Sequence, residues 1–395
     1  MPPLAGVRIA TAQAGIKYQG RTDVLLMQFA EGTQVAGVLT RSQAPSAPVD
    51  WCRAHLPHGS ARALVVNSGN ANAFTGKRGI ATVTRTAEAT AAALGISPAQ
   101  VMLASTGVIG EPLDAEKIVR VLTQLTAPAA EGDWHQAAAT IMTTDTFAKA
   151  ATRTVLLDGV QVTIHGIAKG SGMIAPDMAT MLAFIATDAH IAAPLLQHLL
   201  QQCNEKSFNS ITVDGDTSTS DTCLLFATGQ AEMLPMTDMQ DARVALFAQA
   251  LESLMIELAQ WVAKDGEGAQ KMITVRVEGA VSDVSAKRIA LAIANSPLIK
   301  TAVAGEDANW GRVVMAVGKS GERVERDLLQ VRMGGVLIAA EGERLASYDE
   351  APIAAHMKTR DIQIAVDIGL GNGTWTVWSC DLTHGYIAIN ADYRS

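Results

Sequence analysis

Aromatic residues make up only 4% of this 395-residue chain, too few and too scattered to build a surface on which bases stack. A strongly basic tract is also missing. Lys and Arg number 31 against 39 Asp and Glu, a formal net charge of -8, which argues against a nucleic-acid or anionic-membrane partner. The four cysteines, Cys52, Cys203, Cys223 and Cys380, form no CxxC pair and match no Cys/His zinc spacing. Thiols so sparse fit a reducing cytosol better than a disulfide scaffold. No apolar run reaches the roughly 18 residues that a membrane span requires. The opening "MPPLAGVRIATAQAG" lacks the basic and long apolar stretches of a signal peptide. A cytoplasmic protein is therefore expected. Hydrophobic residues at 48% and charged residues at 18% give a globular composition, long enough for roughly two to three domain-sized units.

Two periodicities organise what is there. Val160, Val162 and Ile164 alternate, as do Ile273, Val275 and Val277, and Ile362, Ile364, Val366 and Ile368; these read as strands. Asp158-Gly159 accepts positive φ and reads as a tight hairpin turn. Asn372-Gly373, inside "GLGNGTW", reads as a second one. Phe247, Leu251, Leu254, Leu258 and Trp261 mark one face of a helix ending near Lys264. Further helices are expected over 80–95, ending at Gly95, and over about 194–205 and 285–294. Hairpin-joined strands alternating with helices, without regular βαβ units, indicate an α+β layered fold with helices outside paired sheets. Internal repeats and a Gly/Ser/Pro linker are absent; composition places any boundary at the loop 169–179.

Familiar catalytic signatures fail. "GNANAFTGKR" (69–78) has six residues between its glycines where a phosphate-cradling loop needs four, and Arg78 stands where a hydroxyl belongs. There is no GxGxxG, HExxH or GxSxG, and the eight histidines are dispersed.

The stretch that invites chemistry is "KGSGMIAPDMATML" (169–182). A threonine hydroxyl is a poor nucleophile until a base takes its proton. A threonine that begins a chain carries that base as its own α-amine, with a pKa of about 8. Thr180 reaches that state if its hydroxyl attacks the carbonyl of Ala179 and water opens the resulting ester. Gly170, Gly172 and Pro176 supply an unusual turn, Ala179 offers little bulk, and the β-branched Thr180 keeps its hydroxyl aimed. The apolar run that follows reads as a buried strand. The same residues also suit a plain loop leading into a core strand.

The motif resembles the self-cleavage site of the ornithine acetyltransferase family, whose bifunctional members also act as N-acetylglutamate synthases. "NSGNANAFTG" (67–76), "ASTGVIGEPL" (104–113), "IMTTDT" (141–146), "DGDTSTSDT" (214–222), "DGEGAQK" (265–271), "GEDANWGR" (305–312) and "INADYRS" (389–395) match that family's blocks in order. The resemblance implies an α/β/β/α sandwich of the N-terminal-nucleophile type. It also implies a cut between Ala179 and Thr180 into chains 1–179 and 180–395, held together as α2β2. The implied reaction is a double displacement: Thr180 takes the acetyl group of N2-acetylornithine, and glutamate then accepts it. No metal or tightly bound cofactor is implied; whether acetyl-CoA also serves as donor stays open.

Residue by residue, the resemblance assigns the oxyanion pair to Thr106 and Gly107, though "STGVIG" by itself reads as a strand-end turn. It assigns substrate binding to Lys169, Glu267, Asn390, Ser395 and one of Thr143 or Thr144. Alone, Lys169 reads as a solvated lysine, Glu267 as a turn residue and Thr-Thr-Asp as a helix cap. The strand-like "GYIAIN" (385–390) would tie the C-terminus down. Asp177, Phe74 and Gln270 depart mildly from the family pattern. Two other readings compete: a same-fold amidase or aminopeptidase that passes the acyl group to water, and an uncleaved binding protein.

Overall fold

A computed structural model describes residues 1–127, 132–175 and 181–391. The chain divides into two compact units, one of residues 1–209 and 216–262, the other of residues 210–215 and 263–395. The boundary does not fall at the loop 169–179, because the strands on either side of that loop are hydrogen-bonded neighbours.

In the first unit, strands β1 (Val7–Ala12), β2 (Val24–Phe29), β3 (Gln34–Leu39), β4 (Ala63–Asn70) and β5 (Val101–Val108) precede β6 (Lys149–Leu157), β7 (Val160–Lys169), β8 (Leu182–Thr187) and β9 (Thr222–Ala227). Helices α1 (Ala47–His55), α2 (Gly76–Leu94), α3 (Ala115–Thr126), α4 (Trp134–Thr140), α5 (Ala193–Lys206) and α6 (Ala242–Lys264) join them. The strands form a four-stranded sheet, β1-β2-β4-β5, and a five-stranded sheet, β3-β9-β8-β7-β6. Period-two alternation decides what lies on each face. Leu64 and Val66 of β4 join Leu25 and Met27 in a core shared with Phe184, Leu224 and Phe226 of the other sheet, where Phe29 stacks on Phe226 at 4.1 Å. Val65 and Leu103 point the other way, onto Val83 and Ala87 of α2 and Ile118 and Leu122 of α3.

The outer face of the five-stranded sheet is covered by α5 and α6. Gln197 of α5 bonds both backbone groups of Gly37 in β3. Leu254 and Leu258 of α6 press on Gly166 of β7 so closely that a Cβ there would lie 2.7 and 2.9 Å from them. The layers are therefore α/β/β/α, as expected. The predicted apolar helix face holds, with Phe247, Leu251, Leu254 and Leu258 fully buried, each worth about 2 kcal/mol in removal from water. Asp158 and Gly159, both at positive φ, close the β6–β7 hairpin. One expectation fails: β4–α2–β5 and β8–α5–β9 are parallel crossovers, so βαβ units are present.

In the second unit, β10 (Met272–Ala280), β11 (Gln330–Met333), β12 (Val336–Ala340), β13 (Glu343–Arg344), β14 (Asp361–Asp367) and β15 (Gly373–Cys380) form one sheet, ordered β13-β12-β11-β14-β10-β15. Around it lie α7 (Asp283–Ala294), α8 (Pro297–Ala304), α9 (Trp310–Gly318), α10 (Ala351–Met357) and α11 (His384–Asn390). Two readings are corrected here. "GLGNGTW" is no hairpin, since β10 lies between β14 and β15; Gly371 and Gly373 are needed because the chain passes Ala280 and Ser282 too closely for a side chain. "GYIAIN" is helical, capped by Thr383 Oγ1 accepting the Gly385 N–H, with Ile387 and Ile389 exposed instead of alternating into a sheet.

Candidate active site

In the first unit, Thr106 and Gly107 occupy the C-terminal end of β5, beside β4. The ladder there is irregular: Asn70 pairs with both Thr106 and Val108. Gly107 has φ +131°, and a Cβ on it would lie 2.3 Å from the Gly69 carbonyl carbon and 2.5 Å from the Asn70 nitrogen. Only glycine fits this close passage. Ser105 and Asn67 brace the strand end from below through a 2.6 Å side-chain bond, and the Asn67 amide donates to the Asn70 carbonyl at 2.8 Å.

Lys169 ends β7 and is buried. Its Nζ donates to Thr143 Oγ1 at 3.0 Å and to Thr106 Oγ1 at 3.2 Å. It is no solvated lysine. Thr143, Thr144 and Asp145 do not cap a helix; they lie between α4 and β6. Thr144 Oγ1 bonds Ser171 Oγ at 2.6 Å, while Thr143 is the one of the pair with a hydrogen bond from the lysine. Behind them Asp145 accepts from Lys149 Nζ and the Gly170 N–H, both at 2.7 Å, and from the Thr143 N–H at 3.1 Å. Burial alone would raise the Asp145 carboxyl, but the charges of Lys169 and Lys149 and these hydrogen bonds outweigh it and hold the group at about 2.

Met181, next in sequence to Thr180, is clamped by the start of β9. Its N–H donates to Asp221 Oδ1 at 3.1 Å and its carbonyl accepts from the Thr222 N–H at 3.1 Å. Asp221 is fully buried, and burial pushes its carboxyl well up. Ala179, Thr180 and Ser395 lie outside the described residues.

In the second unit, Glu267 lies in the turn after α6, as its position in the sequence suggests, and is buried. Asn390 Nδ2 donates to its Oε2 at 2.7 Å and to the Tyr386 carbonyl at 3.0 Å. Helix α11, which carries Asn390, is seated by the Thr383 hydroxyl donating to the Gly268 carbonyl at 2.6 Å.

The structure therefore joins Thr106, Thr143 and Lys169 in one unit, and Glu267 with Asn390 in the other. Sequence reasoning missed Asp145, Lys149, Ser171 and Asp221. Asp145 and Asp221 stand inside the quoted blocks "IMTTDT" and "DGDTSTSDT"; nothing in the spacing marks Lys149. Among the described residues no group of three His, Cys, Asp or Glu could hold a metal ion, and no helix is long and apolar enough to cross a membrane.

Two stacked sheets with helices on both outer faces, and a buried lysine–threonine cluster at the strand ends, define the class: an α/β/β/α layered sandwich. The ArgJ family model matches residues 8–395, and the chain belongs to that family. It is 61% identical over 398 residues to the arginine biosynthesis bifunctional protein ArgJ of Rhizobium meliloti and 60% identical to that of Agrobacterium fabrum. Each alignment covers 100% of this chain and 96% of the relative. The crystal structure of the Bacillus halodurans protein of the same name is 39% identical, with a TM-score of 0.51, covering 53% of this chain and 97% of that one.

Proposed function

We propose that this chain transfers the acetyl group of N2-acetyl-L-ornithine to L-glutamate in arginine biosynthesis. It does so through an acetyl ester on Thr180, after cutting itself between Ala179 and Thr180. The carrying observation is the buried contact of Lys169 with Thr106 and Thr143, in a chain matched to the ArgJ family along nearly its whole length. The names of the relatives, bifunctional proteins of arginine biosynthesis, support the pathway. An amidase or an uncleaved binding protein has no comparable support.

In this reading the Thr180 amine takes the hydroxyl proton, and the hydroxyl oxygen attacks the acetyl carbonyl. Ornithine leaves with that proton, and glutamate reverses the steps. Charge develops on the carbonyl oxygen at each attack. Supporting Thr106 and Gly107 as its donors is the direction of the Lys169 bond. An ammonium only donates, so Thr106 Oγ1 accepts from it and keeps its own O–H free to point elsewhere. Lys169 and Thr143 hold the substrate carboxylate. Glu267, Asn390 and Ser395 complete substrate binding, with Glu267 suited to the ornithine ammonium. The cut chains remain together as α2β2 in the cytoplasm.

The unaltered protein should run as two bands near half of 41.5 kDa on a denaturing gel and form N-acetylglutamate from acetylornithine and glutamate. Thr180→Ala should stay a single, inactive chain. A Thr180→Ala protein that still splits, or an uncut protein with full activity, refutes the mechanism.

A further inference from the structure

We propose that Asp221 is a positioning residue for acetyl transfer: it ties down the chain end that the cut before residue 180 creates. The inference rests on the reading above. A cut there leaves residue 180 with no chain ahead of it, and a chain end frays unless something holds it. Strand β8 enters its ladders only at Leu182, whose register partners are Lys169 of β7 and Thr222 of β9. One residue earlier, the Met181 carbonyl still accepts the Thr222 N–H at 3.1 Å, but the Met181 N–H donates to a side chain, Asp221 Oδ1, at 3.1 Å. The carboxyl thus takes over where the backbone ladder stops. That N–H belongs to the planar peptide group joining residue 181 to residue 180. Fixing it fixes the direction in which the chain leaves toward the attacking residue.

Asp221 is itself held on every side. It is fully buried, and its carbonyl accepts the Thr40 N–H at 3.0 Å, just past the end of β3. Thr40 Oγ1 donates to the Ser218 carbonyl at 2.7 Å, and the Ser46 N–H donates to the Thr219 carbonyl at 2.8 Å. Thr222 Oγ1 donates back to the Ser220 carbonyl at 3.0 Å. The turn 218–222 is therefore pinned to the chain after β3, and it reaches the chain before β8 with one carboxyl. Burial pushes that carboxyl well up, against the pull of the Met181 N–H, the Thr40 and Ser218 hydroxyls and the Lys169 charge. A neutral side chain of the same shape that keeps the acceptor can accordingly stand in for it.

The test compares Asp221→Asn and Asp221→Leu with the unaltered protein. Both substitutions keep the volume close, and only Asn keeps an oxygen for the Met181 N–H. Cutting is read on a denaturing gel, and kcat and KM are referred to the cut fraction. Asp221→Leu should still be cut, because the uncut chain continues on both sides of residue 180. Its kcat should then fall by about tenfold to a hundredfold, with KM for acetylornithine and for glutamate within about threefold. Asp221→Asn should keep kcat within about twofold. A merely structural role predicts a lower melting temperature with kcat intact in the cut protein, and that result overturns the proposal. An Asn variant that loses as much as the Leu variant also overturns it, by assigning the effect to charge. So does a folded Leu variant that stays uncut, by assigning the effect to the cutting step. If Asp221→Leu does not fold, Asp221→Ser, too short to reach the Met181 N–H, takes its place with the same expected and overturning results. An unaltered protein that transfers no acetyl group overturns the function first and this inference with it. A cut, active protein whose kcat ignores the lost acceptor overturns the inference alone.

Discussion

Thr106 shows how one side chain can be aimed by the charge state of another. Because Lys169 has no acceptor, the threonine must receive its hydrogen bond, and the hydroxyl proton is left for a second partner. A developing oxyanion is the partner such a preorganised donor suits. Thr106→Val keeps the volume and removes the donor. We expect kcat for acetyl transfer to fall by about 10²–10³, near 3–4 kcal/mol, with little change in KM; Thr106→Ser should restore most of the rate. A valine variant at full kcat would remove Thr106 from the chemistry. Thr106 and Gly107 were singled out only through the family resemblance of their block; by themselves they read as a strand-end turn, and they do lie at the end of β5. Lys149 was not singled out. A lysine at a strand start is ordinarily exposed; here Asp145, four residues earlier in the chain and in a turn no periodicity foretells, pairs with it in the core.

At the scale of elements, the sequence reads well where a single face is buried and badly where tertiary contact decides. The stripe of α6 and the alternation of β7, β10 and β14 were visible, since each sets apolar residues at its own period. "GYIAIN" alternates too, yet it is α11. The Thr383 cap and the docking of the helix on the loop 265–271 outweigh a short pattern with no strand to pair. That docking depends on Gly268, at φ +71°, where a Cβ would lie 2.4 Å from both the Gly385 carbonyl carbon and the Tyr386 nitrogen. Gly268→Ala should therefore lift α11 and break the Asn390–Glu267 bond. The expected result is a several-fold rise in KM for acetylornithine with self-cleavage intact, because the cutting residues lie in another part of the chain. Steady-state kinetics beside a denaturing gel separate the two effects; an unchanged KM would mean that α11 has no part in binding.

At the scale of the molecule, the proposed cut raises the question of why two chains should stay together. The five-stranded sheet answers it. In the order β3-β9-β8-β7-β6, β3, β7 and β6 come before residue 179, while β9 and β8 come after 180. Two seams of backbone hydrogen bonds, β3–β9 and β7–β8, therefore join the two products. The four-stranded sheet belongs wholly to residues 1–179, yet its inner face is covered by Phe184, Leu224 and Phe226 from the second product. Separation would expose all of this surface at about 2 kcal/mol for each large apolar side chain and strand the edges of both seams. Scission of one peptide bond in a loop offers nothing of that size in return. The processed protein should elute from gel filtration as one species containing both chains. It should yield them separately only in denaturant, at a concentration close to that which unfolds the uncut Thr180→Ala protein. Chains that part in native buffer would show that the interleaved sheet does not hold the products together.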